Sequence, residues 1–585
     1  MKFIAHILLL AAVAGMGPAA AQQAAQPAAH EAGTLSVGLW TLWHDKEISI
    51  SPAHQSGGSL RVCASCAATP LKQTMQAHAE GDRVSLSEKE HVESVFLAGE
   101  VTLTAHGESL TLHNPIRISA RKGELVLSVT LPVETYVERV VASESGAADS
   151  RESLKALAIV VRSFALHEKH GHVDYDVCDS THCQLLHWAG GSGRAPAAHA
   201  ATLATAGETL WFQGRKAQAW FHQNCGGRTA APSEVWPGST RGNAAMPWLV
   251  SRADSFCTAG GAREWSADIS LADLTAALGA AGLARPGWKT LSVVRRGESG
   301  RAVTLMVGAN QVSAEDFRLA VGRTLGWNKI LSTWFEIVPR GDHFLFHGRG
   351  SGHGVGLCQA GAAAMGAAGR DATQIIAQYF PGAMVADETT GRAWQVFSAK
   401  GFVLETLDAA DAAYLAQLAR ALGEAESRAG IEPQQPVTVR AFRSTGAFRD
   451  ATIAPGWVAA FTEGNWIATQ PLGTLASRKI LTSTLRHEFL HALIEGQAAP
   501  QTPLWLREGL VEAFDDRSLP TGPAPALKLE ELDHALSQAT TEAGSQAAHR
   551  AAKYYAWKLL VRSGREQVLN WLHAGLPASV VAGLK

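Results

Sequence analysis

A single hydrophobic core stops growing well before 585 residues. At roughly 100–200 residues per domain this chain has to divide into about three or four packing units. No repeat of fixed period runs through it, so the units are not copies stacked in a solenoid. The sharpest division lies at 395 to 405. There a composition shift near Gly391 gives way to an Ala-rich segment from Asp408 to Ala429. It separates a larger front part, 34–395, from a smaller back part, 400–585. An apolar content of 46% is that of ordinary globular proteins. The net charge of −2, with no long run of Lys or Arg, lacks the basic face that a nucleic-acid partner requires.

The opening residues set the expected compartment. Lys2 supplies a positive charge, Phe3 to Ala14 form a short apolar stretch, and Ala19-Ala20-Ala21 offers small residues for cleavage. This pattern predicts a secretory signal peptide over 1–21, followed by an Ala/Gln-rich flexible leader over 22–33. An uncleaved anchor is the alternative reading. No later stretch approaches transmembrane length, so the expectation is an exported protein of the periplasm or cell wall. Export permits disulfides. Seven cysteines (63, 66, 178, 183, 225, 257 and 358) leave at least one thiol free or place several on a metal. Cys63-Ala-Ser-Cys66 reads as a local disulfide or as unpaired loop thiols.

Hydrophobic patterning predicts an α+β chain: a mixed β-rich and helical front, then a mainly helical back. From Thr34 to about Val129 apolar and polar residues alternate in short runs punctuated by Gly, which predicts strands. Helical spacing follows over Pro132 to Val140 and over Ser150 to His167, with Ser150 as N-cap. Gly190 to Pro196 reads as a loop and Leu210 to Phe221 as strand. Ser270 to Gly282, Ser313 to Gly326 and Asp371 to Tyr379 read as helices. A β-like segment runs from Val437 to Thr469, and the last hundred residues are mostly helical.

The stretch from Leu131 to Glu144 is an amphipathic helix that runs through apolar residues and ends on a carboxylate. Apolar surroundings disfavour the charged form of a Glu, raise its pKa and keep it protonated near neutrality. A general acid that protonates a glycosidic oxygen needs that property; on periodicity alone, a surface or helix-capping carboxylate is the commoner reading. Downstream, Cys178-Asp-Ser-Thr-His182-Cys183 places two sulfurs and an imidazole within six residues, a set suited to zinc. Disulfides from Cys178 and Cys183 to Cys225, Cys257 or Cys358 are the competing reading. The glycine-rich run from Gly348 to Gly356 lacks the Gly-Lys-Ser/Thr end of a P-loop, so its glycines read as tight turns and close backbone approach to a ligand.

Six stretches, in order, resemble the SpoIID/LytB family. They are LPVETYVERVVASE (131–144), ESLKALAIVVRSFAL (152–166), DYDVCDSTHCQ (174–184), HQNCGGRT (222–229), FRLAVGRTLGWNKILSTWF (317–335) and GRGSGHGVGLCQAGA (348–362). Together they span roughly 120–385. The resemblance implies a lytic transglycosylase acting on peptidoglycan glycan strands, with Glu144 as catalytic acid and base. Glu144 would protonate the oxygen between N-acetylmuramic acid and N-acetylglucosamine. It would then take the proton from the muramic C6 hydroxyl as a 1,6-anhydro ring closes. No second carboxylate is then required, unlike two-carboxylate glycoside hydrolysis.

The same resemblance implies strands stripped of stem peptides as substrate. It makes Arg162, Gln184, His222, His353 and Gln359 candidates for binding glycan, although a helix-surface position or a structural ion pair is at least as good a reading of Arg162. Similar residues to Cys178, His182 and Cys183 hold zinc in some SpoIID proteins. Other family members enhance a cell-wall amidase without cutting glycan, so an amidase partner and a binding-only role stay open. The chain departs from the family where Ser145-Gly146 replaces an acidic-Met-Pro segment and where Asn224-Cys225-Gly226-Gly227 replaces Ser-Ser-Gly-Gly.

The back part carries a second constellation, Arg486-His487-Glu488-Phe489-Leu490-His491. Histidines at i and i+4 share a helical face. They can ligate one Zn²⁺ while Glu488 accepts a proton from a metal-activated water. Downstream, Pro503-Leu-Trp-Leu-Arg-Glu508-Gly-Leu-Val-Glu512 resembles the second helix of gluzincin metallopeptidases. That implies Glu508 as third ligand, with Glu512 the alternative. A final helix with Tyr554-Tyr555 also resembles these domains, where a Tyr stabilises an oxyanion. A degenerate domain that no longer cleaves peptides is the competing reading.

Overall fold

The computed structural model describes residues 33–584, apart from 55–56, 88–89, 168–170, 189–194, 240–241, 243–244, 262, 519–524 and 540. The expected signal peptide, nearly all of the leader and most of the 190–196 loop fall outside the described residues.

The alternating runs at the start become two sheets that share one core. One has seven strands, ordered Val177–Cys178, Thr34–Leu39, Glu124–Pro132, Ile116–Arg121, Ser94–Gly99, Gly58–Arg61 and Thr69–Pro70. The other has six, ordered Glu108–Leu112, Val101–Ala105, Glu47–Pro52, Met75–Glu80, Arg83–Ser87 and Glu90–Val92. Period-two patterning puts Val37, Leu97, Ile118, Leu127 and Val129 of the first sheet in the same cluster as Ile48, Ile50 and Leu103 of the second. A slip of one residue would turn these side chains to solvent, so the pattern fixes the register of Thr34 opposite Pro132.

The longest strand of the first sheet, Glu124–Pro132, runs straight into the helix Val133–Glu144. The sheet core thereby fixes where that helix begins and where Glu144 ends it. The next helix, Arg151–Ala165, starts at Ser150, whose side chain accepts from the Ser153 amide in a capping box. It is buried from Ser153 to Ala165 save one position, Lys155. Both helices pack against Ala195–Ala204.

The front part holds a second, separate core. Strands Glu264–Ser270, His343–Arg349 and Phe335–Arg340 form one small sheet, and Leu291–Arg296, Ala302–Val307 and Asn310–Ser313 another. Helices Leu271–Ala280 and Ala314–Leu325 close over Leu274, Phe317, Phe335 and Phe346.

The back part begins with Gln395–Ala399 in a five-stranded sheet. Its order continues Phe402–Thr406, Val437–Ala441, Trp466–Thr469, Ala460–Glu463. The pairings of Val437–Ala441 with both neighbours are parallel, and the helix Leu415–Ala429 makes the first crossover. The sheet gives this part more β structure than its helical patterning predicts. The expected single β-like segment 437–469 is three strands interrupted by the helix Thr445–Thr452. Helices Leu481–Glu495, Leu504–Asp515 and Glu542–Ser563 pack on the sheet around Phe402, Leu422, Phe489, Leu506, Leu510 and Leu559. The chain as a whole is a mixed α+β protein. Among the described residues no helix is long and apolar enough to cross a membrane.

The two parts share a small apolar cluster. Leu203 and Ala206 of the front share a cluster with Phe442, Phe448 and Trp466 of the back. Beside them the buried Arg440 guanidinium donates to Glu208 Oε1 at 2.7 Å and lies 2.7 Å from Glu405 Oε2. Two carboxylates around one guanidinium satisfy a charge that burial would otherwise penalise by several kcal/mol.

Candidate active site and metal-ligating clusters

Glu144 is the last residue of its helix; Ser145 already has extended backbone, with φ −68° and ψ 144°. The carboxyl is half-buried and accepts a hydrogen bond from the Leu185 amide at 3.2 Å. Burial dominates and pushes its pKa up to about 7, against a smaller downward pull from that amide. Gln359 reaches the same helix end, its Nε2 donating to the Glu144 carbonyl oxygen at 2.9 Å. Among the recorded hydrogen bonds and ion pairs of the described residues, none joins a second carboxylate to Glu144.

The segment that supplies the Leu185 amide is tied down residue by residue. Asp179 accepts from the Trp40 amide at 2.7 Å, the Thr41 hydroxyl at 2.7 Å and the Trp188 indole at 3.0 Å. Tyr136 Oη donates to Gln184 Oε1 at 2.9 Å, and the His187 amide donates to Ser143 Oγ at 2.9 Å. Three expected glycan-binding residues, Gln184, Arg162 and His222, are buried rather than at the surface. Gln184 is buried under Tyr136. Arg162 has no exposed surface; its Nε donates to Glu134 Oε1 at 2.9 Å, a second guanidinium bond reaches Glu134 Oε2, and a third goes to the Glu208 carbonyl. The structural ion pair is the reading of Arg162 that the geometry fits.

His222 and His353 face each other with ring centroids 5.6 Å apart, and Trp236 lies 5.4 Å from His353. His353 Nδ1 accepts from the Val355 amide at 3.1 Å, while His222 Nδ1 lies 3.1 Å from the Val355 carbonyl and so donates to it. Burial pushes His353 down to about 4 and holds His222 well below the usual histidine range. Both rings are neutral near pH 7. The parallel pairing of Phe221–His222 with Leu357–Cys358 sets His222 beside Cys358, the residue before Gln359. The histidine pair and the glutamine that caps the Glu144 helix thus share one support.

The Cys178–Cys183 turn gathers four donors rather than three. His172, Cys178, His182 and Cys183 place their ligating atoms within 4.8 Å of one another. His172 Nε2 stands 3.2 Å from Cys183 Sγ, and His182 Nδ1 stands 3.8 Å and 3.7 Å from Cys178 Sγ and Cys183 Sγ. Ligands held about 2.0–2.3 Å from a tetrahedral zinc stand roughly 3.3–3.8 Å apart, so this donor set fits that ion. Among the described residues the one disulfide is Cys63–Cys66; the other five cysteines are thiols.

In the back part the helix Leu481–Glu495 aligns His487 and His491, with Nε2 atoms 3.2 Å apart. Asp515 Oδ2 lies 3.3 Å from His487 Nδ1 and orients that ring. Glu508 Oε2 is 3.7 Å from His491 Nε2, whereas Glu512 Oε1 is 3.2 Å from His549 Nδ1. Two ring nitrogens so close repel unless a proton or a cation sits between them. Glu488 turns toward the edge strand and accepts from Thr462 Oγ1 at 2.6 Å. Gly509 lets the second helix approach closely: a Cβ there would lie 2.3 Å from the Ala552 carbonyl oxygen. Tyr555 Oη donates to the Leu527 carbonyl at 3.5 Å, and the side chain that its helix sends to Glu508 and Glu512 is His549. His172, Asp515 and His549 escaped the sequence reading, because an isolated polar residue has no period to betray it.

Comparison with known proteins follows the same division. Residues 121–212, from the strand into Glu144 through the Cys178–Cys183 turn, match the family model described as Stage II sporulation protein (SpoIID). Residues 256–356, which contain the second core, match a separate domain of unknown function, DUF8618. An uncharacterized protein of Brachyspira hyodysenteriae is 26% identical over 260 residues, covering 44% of this chain and 67% of that protein. Stage II sporulation protein D of Bacillus amyloliquefaciens is 25% identical over 275 residues, covering 44% of this chain and 75% of that protein. The matched domain and the Bacillus relative together support the SpoIID family for the front part of this chain.

Proposed function

We propose that the front part is an exported peptidoglycan lytic transglycosylase in which Glu144 serves first as general acid and then as general base. The observation that carries this reading is a single half-buried carboxyl whose proton is held to about pH 7 by desolvation. Such a group gives its proton to the glycosidic oxygen at neutral pH and, once ionised, takes one back from the muramic C6 hydroxyl. The Leu185 amide keeps the carboxyl aimed through both steps. Gln359 fixes the helix end from which Glu144 projects, and His353 is a neutral hydrogen-bonding group beside His222 and Trp236. Gln184 and Arg162 act beneath this surface.

His172, Cys178, His182 and Cys183 would hold a zinc ion in this reading. Bound there, zinc would neutralise the thiolates and lock the turn whose continuation supplies the Leu185 amide. With four protein donors it has no open position for chemistry.

The close approach of His487 and His491 favours a second activity, zinc-dependent peptide cleavage by the back part. His487, His491 and Glu508 would hold the ion, which would supply Lewis-acid activation of water. Glu488 is the adjacent group able to accept a proton. Glu508 Oε2, 3.7 Å from His491 Nε2, is the carboxylate beside the histidine pair, which favours Glu508 as the third ligand.

Incubating the full chain with purified sacculi tests both readings. Products ending in 1,6-anhydro-muramic acid, lost in Glu144→Gln but kept in His491→Ala, support the front site. New amino groups lost only in His491→Ala support the back site. Glycan ends that carry an added water, or no release at all beside a stimulated amidase, would replace the transglycosylase reading.

A further inference from the structure

A second sulfur-rich cluster lies outside everything assigned so far. Cys225, Asp254, Cys257 and Cys358 come from three distant segments, yet their ligating atoms lie within 4.8 Å of one another. All four are buried, at 0%, 1%, 7% and 0% exposure. Cys225 Sγ is 3.3 Å from Asp254 Oδ2. We propose that these four residues form a structural site for a thiophilic divalent cation, zinc by its donor chemistry, distinct from the His172–Cys183 cluster.

Three features favour an ion over a chance meeting of thiols. First, backbone amides point at the sulfurs: Cys225 N to Cys358 Sγ at 3.2 Å, Gly361 N to Cys358 Sγ at 3.4 Å, and Gly227 N to Cys225 Sγ at 3.4 Å. Hydrogen bonds donated to sulfur favour the thiolate, which is the ligand form. Second, Asp254 is braced as ligating carboxylates are. Its Oδ1 accepts from the Cys257 amide at 3.0 Å and its Oδ2 from Tyr379 Oη at 2.9 Å. Third, the backbone makes room for it: a Cβ on Gly361 would lie 2.4 Å from Asp254 Oδ2 and 2.1 Å from Tyr379 Oη. Three thiolates and one carboxylate carry four negative charges, which a buried site cannot hold uncompensated. A divalent cation removes two, and the fully buried Arg301, bonded to the Cys225 carbonyl at 3.0 Å, offsets a third.

The position indicates a purpose. Cys358 precedes Gln359, the residue that caps the Glu144 helix. Asn224, beside Cys225, exchanges backbone hydrogen bonds with Ser351 of the glycine-rich run at 3.0 Å and 2.8 Å. An ion here staples together the segments that border Glu144. Four protein donors fill a tetrahedron, so the ion holds structure and does no chemistry.

The test uses the full chain, purified without reductant and dialysed against EDTA, with metal measured by inductively coupled plasma mass spectrometry. Cys257→Ser is expected to hold one zinc equivalent fewer per chain than the parent, whatever the other clusters hold. In parallel, the wild-type chain is denatured with chelator, alkylated and mapped without reduction. Cys225, Cys257 and Cys358 are all expected to be alkylated. A disulfide joining any two of them overturns the proposal, as does unchanged zinc in Cys257→Ser. If that variant does not fold, the wild-type map still decides.

Discussion

Replacing Glu144 by Gln should make the protein more stable, and only above a certain pH. Gln keeps the oxygen that accepts from Leu185 but cannot ionise. The carboxyl pKa rises from an ordinary 4.5 to about 7 on folding, chiefly through burial. An acid whose folded pKa lies above its unfolded value binds its proton more tightly when folded, so its ionised form costs stability. That cost is absent below about pH 4.5, grows through the interval and is complete above about pH 7. A rise of about two and a half pH units corresponds to a cost on the order of 3 kcal/mol. Chemical unfolding of wild type and Glu144→Gln should therefore give similar midpoints at pH 4.5. At pH 8 the variant should be more stable by ~3 kcal/mol. The same rise leaves about half of Glu144 protonated at pH 7, against roughly 0.3% for a solvated Glu. Equal stability of the two proteins at pH 8 would mean that the carboxyl is solvated and ionised at neutral pH, with no proton to give to a glycosidic oxygen.

Three other outcomes follow from the geometry. Arg162→Met should destabilise the front part by about 3–5 kcal/mol in denaturant unfolding, because it leaves Glu134 buried without its partner. Cys183→Ser should lose one zinc equivalent by elemental analysis and lower glycan release about 10-fold or more, since the turn that aims Leu185 loosens. His491→Ala should lose a different zinc equivalent and leave glycan release unchanged; retained zinc would remove the metal from the His487 helix.

The sequence made the front scaffold legible because burial there follows simple periods. Alternation over 34–129 became the two facing sheets, and the caps at Ser150 and Asp371 start helices where side-chain oxygens meet orphan amides. Period also misled. Leu210 to Phe221 alternates like one strand, yet it breaks into Glu208–Phe212, Arg215–Lys216 and Phe221–His222 around a turn at Gln213 and Gly214. Arg162 falls among the buried residues of a helix whose other buried side chains are all uncharged. A charge at such a position has to be paired inside, and that signal was present in the helix pattern. Cys178, His182 and Cys183 were visible as neighbours, but His172 joins them only through the fold of the intervening loop. Cys358 meets Cys225, Asp254 and Cys257 beside the pairing of Phe221–His222 with Leu357–Cys358, strands more than a hundred residues apart, which no local spacing encodes.

Proton transfer by Glu144 is read out by mass spectrometry of the products released from peptide-stripped glycan strands by the wild-type chain and by Glu144→Gln. The wild type should release 1,6-anhydro-muramic ends and the variant none. Anhydro ends released equally by both proteins would take the proton transfer away from Glu144.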